Sequence, residues 1–253
     1  MKNQMDEKKP MGFIEPELLS AALCQNQRAI LKKINPKMLS TYCWLMDELH
    51  RRNVFEDQEY RRKFGGYYRM RFVSQRYRDA FFALFQEVKS QSAVSFEEVA
   101  AQLYLMDKRH EFSFISKMLH TVDPTRPIYD SQVGAALHIR RTYQADLNRR
   151  LRQDAELLDS ISAYYRELKS HPQAAELLNA FDQIAPAYKI SVEKSWISFC
   201  GLGEAVEKVK KGEYLDRTRV FSGKVPICRA AARRCKKPRS FCSGAGYSDS
   251  IKV

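Results

Sequence analysis

Lys117 and Asp130 are the residues whose types and spacing point most directly to chemistry. They lie thirteen residues apart, on either side of a turn bounded by Pro124 and Pro127. A lysine amine becomes a nucleophile for Schiff-base chemistry when burial lowers its pKa. A neighbouring carboxylate stabilises positive charge that develops on a substrate and assists proton transfer. If the turn brings the two side chains together, they form an amine-based covalent site.

Structural interpretations of the same stretch stay open. Asp130 suits the N-cap position of a helix over 131–139, where its carboxylate would accept backbone N–H groups. Lys117 suits a solvated or salt-bridged helix position, in which the amine keeps its charge. His120 stands among apolar residues, which is typical of a hydrogen-bonded core histidine. Tyr129 suits a packed aromatic ring and, alternatively, a platform on which a base stacks.

Apolar residues recur at helical spacing along most of the chain, and no segment alternates as a strand would. Ser95 and Glu98 have the spacing of a capping box, and Pro36 suits the first turn of a helix. Gly65-Gly66 should break the helical pattern. We predict a single all-α domain of seven to nine helices. The main helices are expected over 17–34, from Pro36, over 68–89, from Ser95, over 142–169 and from Pro172.

A stretch rich in cations precedes and enters the strongest predicted helix. Tyr60 to Phe72 interleaves aromatic rings with Lys and Arg, a composition that suits nucleic-acid contact. Faces of this kind hold phosphates when they bind DNA, although most are simply solvated. Two pairs of arginines lie seven residues apart and would share faces of a helix over 68–89, Arg69 with Arg76 and Arg71 with Arg78. The apolar, buried face of that helix would begin with Phe72.

Charge and composition set the class of protein. The chain has 253 residues, 44% of them hydrophobic, and a net charge of +13. Residues 224–253 carry eight Lys or Arg against one acid, so more than half of the excess charge lies there. We therefore expect a flexible leader over 1–15, a globular all-α domain over 16–194 and a poorly structured basic tail over 195–253.

Membrane and metal partners are not indicated by the sequence. No run approaches the roughly 20 apolar residues that cross a bilayer, and the N-terminus lacks the apolar centre of a signal peptide. No two of the six cysteines have C-x-x-C spacing, and no histidine accompanies those near the C-terminus. We expect a soluble, cytoplasmic protein without a membrane partner or a metal site.

The stretch FISKMLHTVDPTRPIYDSQV resembles the central segment of two groups of proteins. It is similar to a pattern of bacterial helical proteins that reads Ser-Lys, an apolar pair, His, a proline-bounded turn, then Pro-Ile-Tyr-Asp-Ser-x-Val. It also resembles a shortened form of the helix-hairpin-helix DNA glycosylases. In those enzymes a lysine on one helix is followed by an aspartate that opens the next, in a Val-Asp-Thr-His-Val type motif. The glycine-rich hairpin that normally precedes their lysine is replaced here by His110-Glu111-Phe112-Ser113-Phe114.

The resemblance implies roles for particular residues. Lys117 would attack the deoxyribose C1′ and form a Schiff base, and Asp130 would stabilise the charge on the sugar. The reaction would be cleavage of an N-glycosidic bond, as in base excision, and it needs no cofactor. The contacts to a DNA with a flipped base would come from Arg69, Arg71, Arg76, Arg78 and Tyr129.

Two other functions are compatible with the same residues. One is a non-enzymatic helical module that binds DNA or a protein, for instance in a defence or mobile-element system. In that module Asp130 would cap a helix and Lys117 would be superficial. The other is an RNA-binding helical protein, which rests on the net charge and on the Tyr/Arg stretch alone.

The chain changes character near Lys194. Ile190-Ser191-Val192-Glu193-Lys194 begins a motif that resembles Ile-Ser-x-x-Lys-x-x-Asp-Phe-x-Leu-Trp of the bacterial proteins, and the residues after it depart from that motif. Codons permitted for those residues spell Val-Asp-Phe-Val-Leu-Trp-Ser-Trp-Gly in a shifted frame. The pattern predicts a shift of reading frame near Lys194, which would make much of the +13 charge unrelated to function.

Overall fold

The computed structural model describes residues 12–91, 93–184 and 190, and these residues form ten α-helices and no strand. The all-α prediction is confirmed, with one helix more than the expected upper limit of nine. In chain order the helices are α1 (Pro16–Gln25), α2 (Gln27–Lys32), α3 (Pro36–Glu48), α4 (Gln58–Tyr67), α5 (Gln75–Val88), α6 (Phe96–Asp107), α7 (Phe112–Val122), α8 (Ser131–Ala136), α9 (Leu147–Ser170) and α10 (Pro172–Ile184).

Side-chain caps explain where several helices begin. Pro36 is the first residue of α3, and Ser95 and Glu98 form the reciprocal capping box of α6, as predicted. Asp146 caps α9 by accepting the Arg149 N–H, so this helix begins five residues later than expected. Each such cap stabilises its helix by about 1 kcal/mol.

The two adjacent glycines do not interrupt the helix, contrary to the prediction. α4 passes through Gly65 and Gly66 and ends at Tyr67. Both glycines lie in its last turn. The low helix propensity of glycine destabilises a helix least at this position, because few backbone hydrogen bonds depend on the last turn. The predicted break therefore falls one residue later than Gly66, after Tyr67.

The loop between α4 and α5 replaces the first third of the helix expected over 68–89. Arg69 has a φ of 55°, in the left-handed region that turns the chain, and α5 begins only after Ser74 caps it. Phe72 belonged to the predicted buried stripe but lies in this loop, 93% exposed. Arg69 and Arg71 also precede α5, so the prediction that they share helix faces with Arg76 and Arg78 is wrong.

A cluster of aromatic rings forms the centre of the core where α4 meets α5. Phe64 and Phe85 have ring centroids 5.3 Å apart, and Phe81 lies 5.7 Å from Phe64. These rings and Tyr60 are fully buried, and each contributes about 2–3 kcal/mol of hydrophobic stabilisation. Around this centre α5 packs on α6, α3 on α4, α6 on α9, and α1 on α10.

Packing extends into the predicted leader by at least two residues. Ile14 is buried and its backbone N–H donates to the Leu137 carbonyl at 3.1 Å. Phe13 stacks on Tyr164 with ring centroids 5.1 Å apart. Apolar residues bury their surface wherever the chain allows it, and this part of the leader follows that rule.

The predicted frame shift, the whole predicted tail over 195–253 and most of the predicted leader lie outside the described residues. All described residues belong to one compact unit. Over this part of the chain, no helix combines the length and the apolar character that a bilayer crossing requires.

Candidate active site

The Lys117 amine lies inside the protein. α7 is buried on nearly every side, with residues 115–121 all buried, and it packs against α3 and α6. Lys117 is 7% exposed. An ordinary helix lysine extends its amine into water, so Lys117 is not solvated. The alternative of a salt-bridged lysine is confirmed, because its Nζ pairs with the Asp130 carboxylate at 3.6 Å.

Asp130 both caps α8 and faces Lys117. Its Oδ1 accepts hydrogen bonds from the backbone N–H groups of Gln132 and Val133, each at 3.0 Å. Its Oδ2 lies 3.6 Å from the Lys117 Nζ. The N-cap interpretation is confirmed, for a helix that ends at Ala136. Because each oxygen has a separate partner, the cap fixes the carboxylate in place against the amine.

Hydrogen bonds from α7 fix the turn that carries Asp130. Ser116 Oγ accepts the Tyr129 backbone N–H at 3.1 Å. His120 Nδ1 donates to the Arg126 carbonyl at 2.6 Å. His120 is fully buried, so its interpretation as a core histidine is confirmed. The turn is therefore attached to the helix of Lys117 at both ends, which positions Asp130 accurately.

The surroundings of the Lys117 amine act on its pKa in opposite directions. Burial lowers this pKa, the Asp130 carboxylate raises it, and the Arg69 guanidinium lowers it, with a net lowering. The Nζ also donates a hydrogen bond to Ser113 Oγ at 2.9 Å. A lowered pKa increases the fraction of neutral, nucleophilic amine at neutral pH.

Two aromatic rings border the amine and leave one side open. The ring centroids of Tyr68 and Phe114 lie 5.8 and 5.6 Å from the Lys117 Nζ, within the range of cation–π attraction. The Asp130 side chain is 25% exposed, against 9% for that of Lys117. Solvent therefore reaches the carboxylate of the pair more than the amine.

The four arginines predicted as phosphate contacts lie in different places. Arg69 is exposed, and its charge acts on Lys117. Arg71 and Arg78 line a cavity beside α4 together. The exposed Arg76 forms an ion pair at 3.2 Å with Asp107, whose side chain is largely buried. Of these four, the structure brings Arg69 to the Lys117 site and joins Arg71 to Arg78.

Tyr129 is a packed ring. It stacks on Phe112 with centroids 4.8 Å apart and planes inclined by 27°. A Cβ added at Gly134 would meet the Tyr129 Oη at 2.9 Å, so the glycine makes room for the phenol. Burial raises the pKa of Tyr129. Its contact with nucleic acid stays a prediction.

Sequence reasoning missed two sets of polar residues near the site. Ser113 holds the amine of Lys117, and the spacing of four residues on one helix is a signal that could have found it. Asp154 lies 2% exposed on α9 and accepts hydrogen bonds from Arg141 and His110, all at 2.6 Å. The sequence around Asp154 gave no indication of these partners, because both His110 and Arg141 lie outside α9.

No family model, curated protein or solved structure matches the chain. Within 12–91, 93–184 and 190, no three His, Cys, Asp or Glu residues are arranged to hold a metal ion. The resemblance of the α7–α8 segment to helix-hairpin-helix DNA glycosylases therefore stays a prediction.

Proposed function

We propose that this chain is a DNA-associated, cytoplasmic protein that cleaves N-glycosidic bonds with Lys117 as nucleophile and Asp130 as its charge partner. The observation that carries the proposal is the 3.6 Å approach of the buried Lys117 Nζ to the Asp130 Oδ2. Burial supplies the lowered pKa that a nucleophilic amine needs. The capped carboxylate is placed to stabilise a cationic sugar without reorganising.

The reaction begins with a Lys117 amine that has lost its proton. The amine nitrogen attacks the deoxyribose C1′, the bond between C1′ and the base nitrogen breaks, and its electron pair leaves with the base, which takes a proton from water. Asp130 stabilises the positive charge of the sugar and accepts the proton that the attached amine releases. Cleavage of the C1′–O4′ bond then gives a protonated Schiff base, as O4′ takes the proton back from Asp130.

Positive charge next to the pair supports a nucleic-acid substrate. The exposed Arg69 lies close enough for its charge to act on Lys117, and the same loop carries the exposed Arg71. Guanidinium groups of this kind gain affinity for phosphates by releasing counterions, so binding should weaken as salt is raised.

Borohydride trapping tests the proposal. The full chain is incubated with DNA duplexes that carry an abasic site or a damaged base, and borohydride reduces the Schiff base to a stable amine. We expect a covalent adduct with the wild-type chain and none with Lys117→Ala. Lys37→Ala, which removes an exposed lysine of α3, is the matched control and should keep the adduct. An adduct that persists in Lys117→Ala, or its absence from the wild-type chain, would contradict the proposal.

A non-enzymatic helical module that binds DNA or a protein is the second candidate, and one observation favours it. Both Asp130 oxygens and the Lys117 amine have partners inside the protein. The pair would then hold α8 against α7, and buried ion pairs of this kind contribute more to specificity than to net stability. Such a module would give no adduct, and its DNA binding would be the same in Lys117→Ala.

A further inference from the structure

A second site lies where α4 meets the start of α5, apart from Lys117 and Asp130. It is a cavity of about 340 Å³, within the size range of small-molecule pockets. Among the described residues, no acidic side chain lines it. We call it the arginine pocket because its wall contains Arg61, Arg62, Arg71 and Arg78.

Two of these arginines are fixed by the protein. Arg61 donates to the Phe55 carbonyl at 3.2 Å and pairs with Asp79. Arg78 donates to the Met70 carbonyl at 2.6 Å. A guanidinium held in this way loses little conformational entropy when it binds an anion. Half of the charge around the pocket is thus positioned before any ligand arrives.

The other two arginines are open to a ligand. Arg62 and Arg71 are both exposed and make no ion pair or side-chain hydrogen bond within the described residues. With Asp79 counted against Arg61, the pocket keeps an excess of three positive charges. Like charges around one cavity repel each other, and an anion between them relieves that repulsion.

The backbone adds to the positive potential. Gln75, the first residue of α5, lines the pocket, so the positive end of the helix dipole lies at its wall. Gly66 also lines it, and a Cβ added there would meet no atom within 4 Å. The open backbone at Gly66 lets a ligand approach the chain closely.

An exposed aromatic residue is the chain neighbour of one of the pocket's arginines. Phe72 directly follows Arg71 and is 93% exposed. A phenyl ring left in water one residue from an arginine of a basic pocket is suited to stack on a nucleobase, as in proteins that bind unpaired nucleotides. A bare inorganic anion would gain nothing from it.

We propose that the arginine pocket binds the phosphate of a nucleotide whose base stacks on Phe72. The nucleotide is either free or part of a nucleic-acid strand, because the phosphate chemistry is shared. Binding at this pocket requires no chemistry at Lys117, so the proposal can be tested independently of glycosidic cleavage.

Calorimetric titration of the full chain identifies the ligand. The probes are deoxyadenosine monophosphate, inorganic phosphate, deoxyadenosine and a thymidine oligonucleotide without terminal phosphates. We expect the monophosphate to bind more tightly than either phosphate or nucleoside alone. If the oligonucleotide binds more tightly than the monophosphate, the ligand is a nucleic-acid strand. If it binds more weakly, the ligand is a free nucleotide. Equal affinities for the monophosphate and inorganic phosphate would overturn the proposal.

Matched variants locate the binding. Arg62→Gln with Arg71→Gln removes the two open cations and should weaken monophosphate binding by at least about tenfold. The control is Arg149→Gln with Arg152→Gln, which removes two exposed arginines of α9 that do not line the pocket. Phe72→Ala should weaken binding of the monophosphate and leave that of inorganic phosphate unchanged. Equal weakening by the control pair would mean that binding depends on overall charge alone, and would overturn the proposal.

Lys117→Ala separates this site from the proposed reaction. It should abolish the borohydride adduct and leave monophosphate binding as in the wild-type chain. Loss of monophosphate binding in Lys117→Ala would place the phosphate at the α7–α8 segment and contradict the arginine pocket.

Discussion

Two of the lysines in the described part of the chain are buried in or at the end of a helix, and their amines meet different partners. Lys89, directly after α5, is 9% exposed. Its Nζ donates to the backbone carbonyls of Leu49 and Arg52 at 3.1 and 2.5 Å, just beyond the end of α3. Burial lowers the pKa of Lys89. This lysine satisfies the carbonyl of Leu49, the C-cap of α3, and that of Arg52 in the following turn.

Lys117 is equally buried but meets side chains. Its Nζ donates to Ser113 and lies 3.6 Å from the Asp130 carboxylate. Burial lowers the pKa of both lysines, so a lowered pKa does not by itself indicate a reactive amine. The carboxylate and the solvent-facing side of the pair distinguish Lys117, and the predictions below act on that difference.

The largest expected effect comes from removing the carboxylate charge. Asp130→Asn keeps the N-cap, because Asn accepts backbone N–H groups as well as Asp does. We expect the single-turnover rate of trapped adduct to fall by about 10²-fold, the usual cost of losing one charge-stabilising group, with helix content unchanged. Asp146→Asn, the same change at the cap of α9, should leave the rate unaltered. An undiminished rate in Asp130→Asn would remove the aspartate from the mechanism.

The second effect is on stability. Lys89→Met should lower the free energy of unfolding by about 2 kcal/mol, because two buried carbonyl groups lose a charged donor. Lys117→Met should instead raise it by up to about 1 kcal/mol, since active-site charges are held at the expense of stability. Urea unfolding of both variants near neutral pH measures the contrast. Equal destabilisation would show that Lys117, like Lys89, is a structural residue.

The smallest expected effect is the pH dependence of the stability difference between Lys117→Met and the wild-type chain. The pKa of Lys117 is lower in the folded chain than in the unfolded chain, where a lysine titrates near 10.4. Between the two values the unfolded chain binds more protons, so stability rises with pH. The penalty of the buried charge is complete below the folded pKa and absent above the unfolded one. The advantage of Lys117→Met should therefore shrink as the pH of the unfolding experiment rises towards 10.4, and a constant advantage would contradict the lowered pKa.

Features of the fold that depend on one local side chain were predictable from the sequence. Ser95 with Glu98 and Asp130 each mark a helix start through hydrogen bonds to their own backbone neighbours. The turn at Arg69 was not predictable, because an arginine adopts a left-handed conformation only when surrounding contacts favour it. Periodicity then assigned Phe72 to the core although the helix that would have buried it begins later.

The sequence predicted which two residues form the candidate site, Lys117 and Asp130. It did not predict that the protein buries the lysine. The sequence singled out Lys117 and Asp130 and left open whether the turn bounded by two prolines brings them together, as it does at 3.6 Å. Lys117 is buried because α7 packs against α3, which is distant in sequence, as well as against the preceding helix α6, so spacing around the lysine carried no sign of its burial. Similarly, the Tyr60 to Phe72 stretch indicated cations for nucleic acid. Only the turn at Arg69 decides which of these cations share a cavity.

Identification of the modified residue in the wild-type chain tests the central claim most directly, because no variant has to fold. The borohydride-reduced complex with abasic DNA is digested, and mass spectrometry locates the sugar remnant. The account predicts the remnant on Lys117, with Lys89 unmodified. A remnant on another lysine or on the N-terminal amine, with Lys117 unmodified, would contradict it.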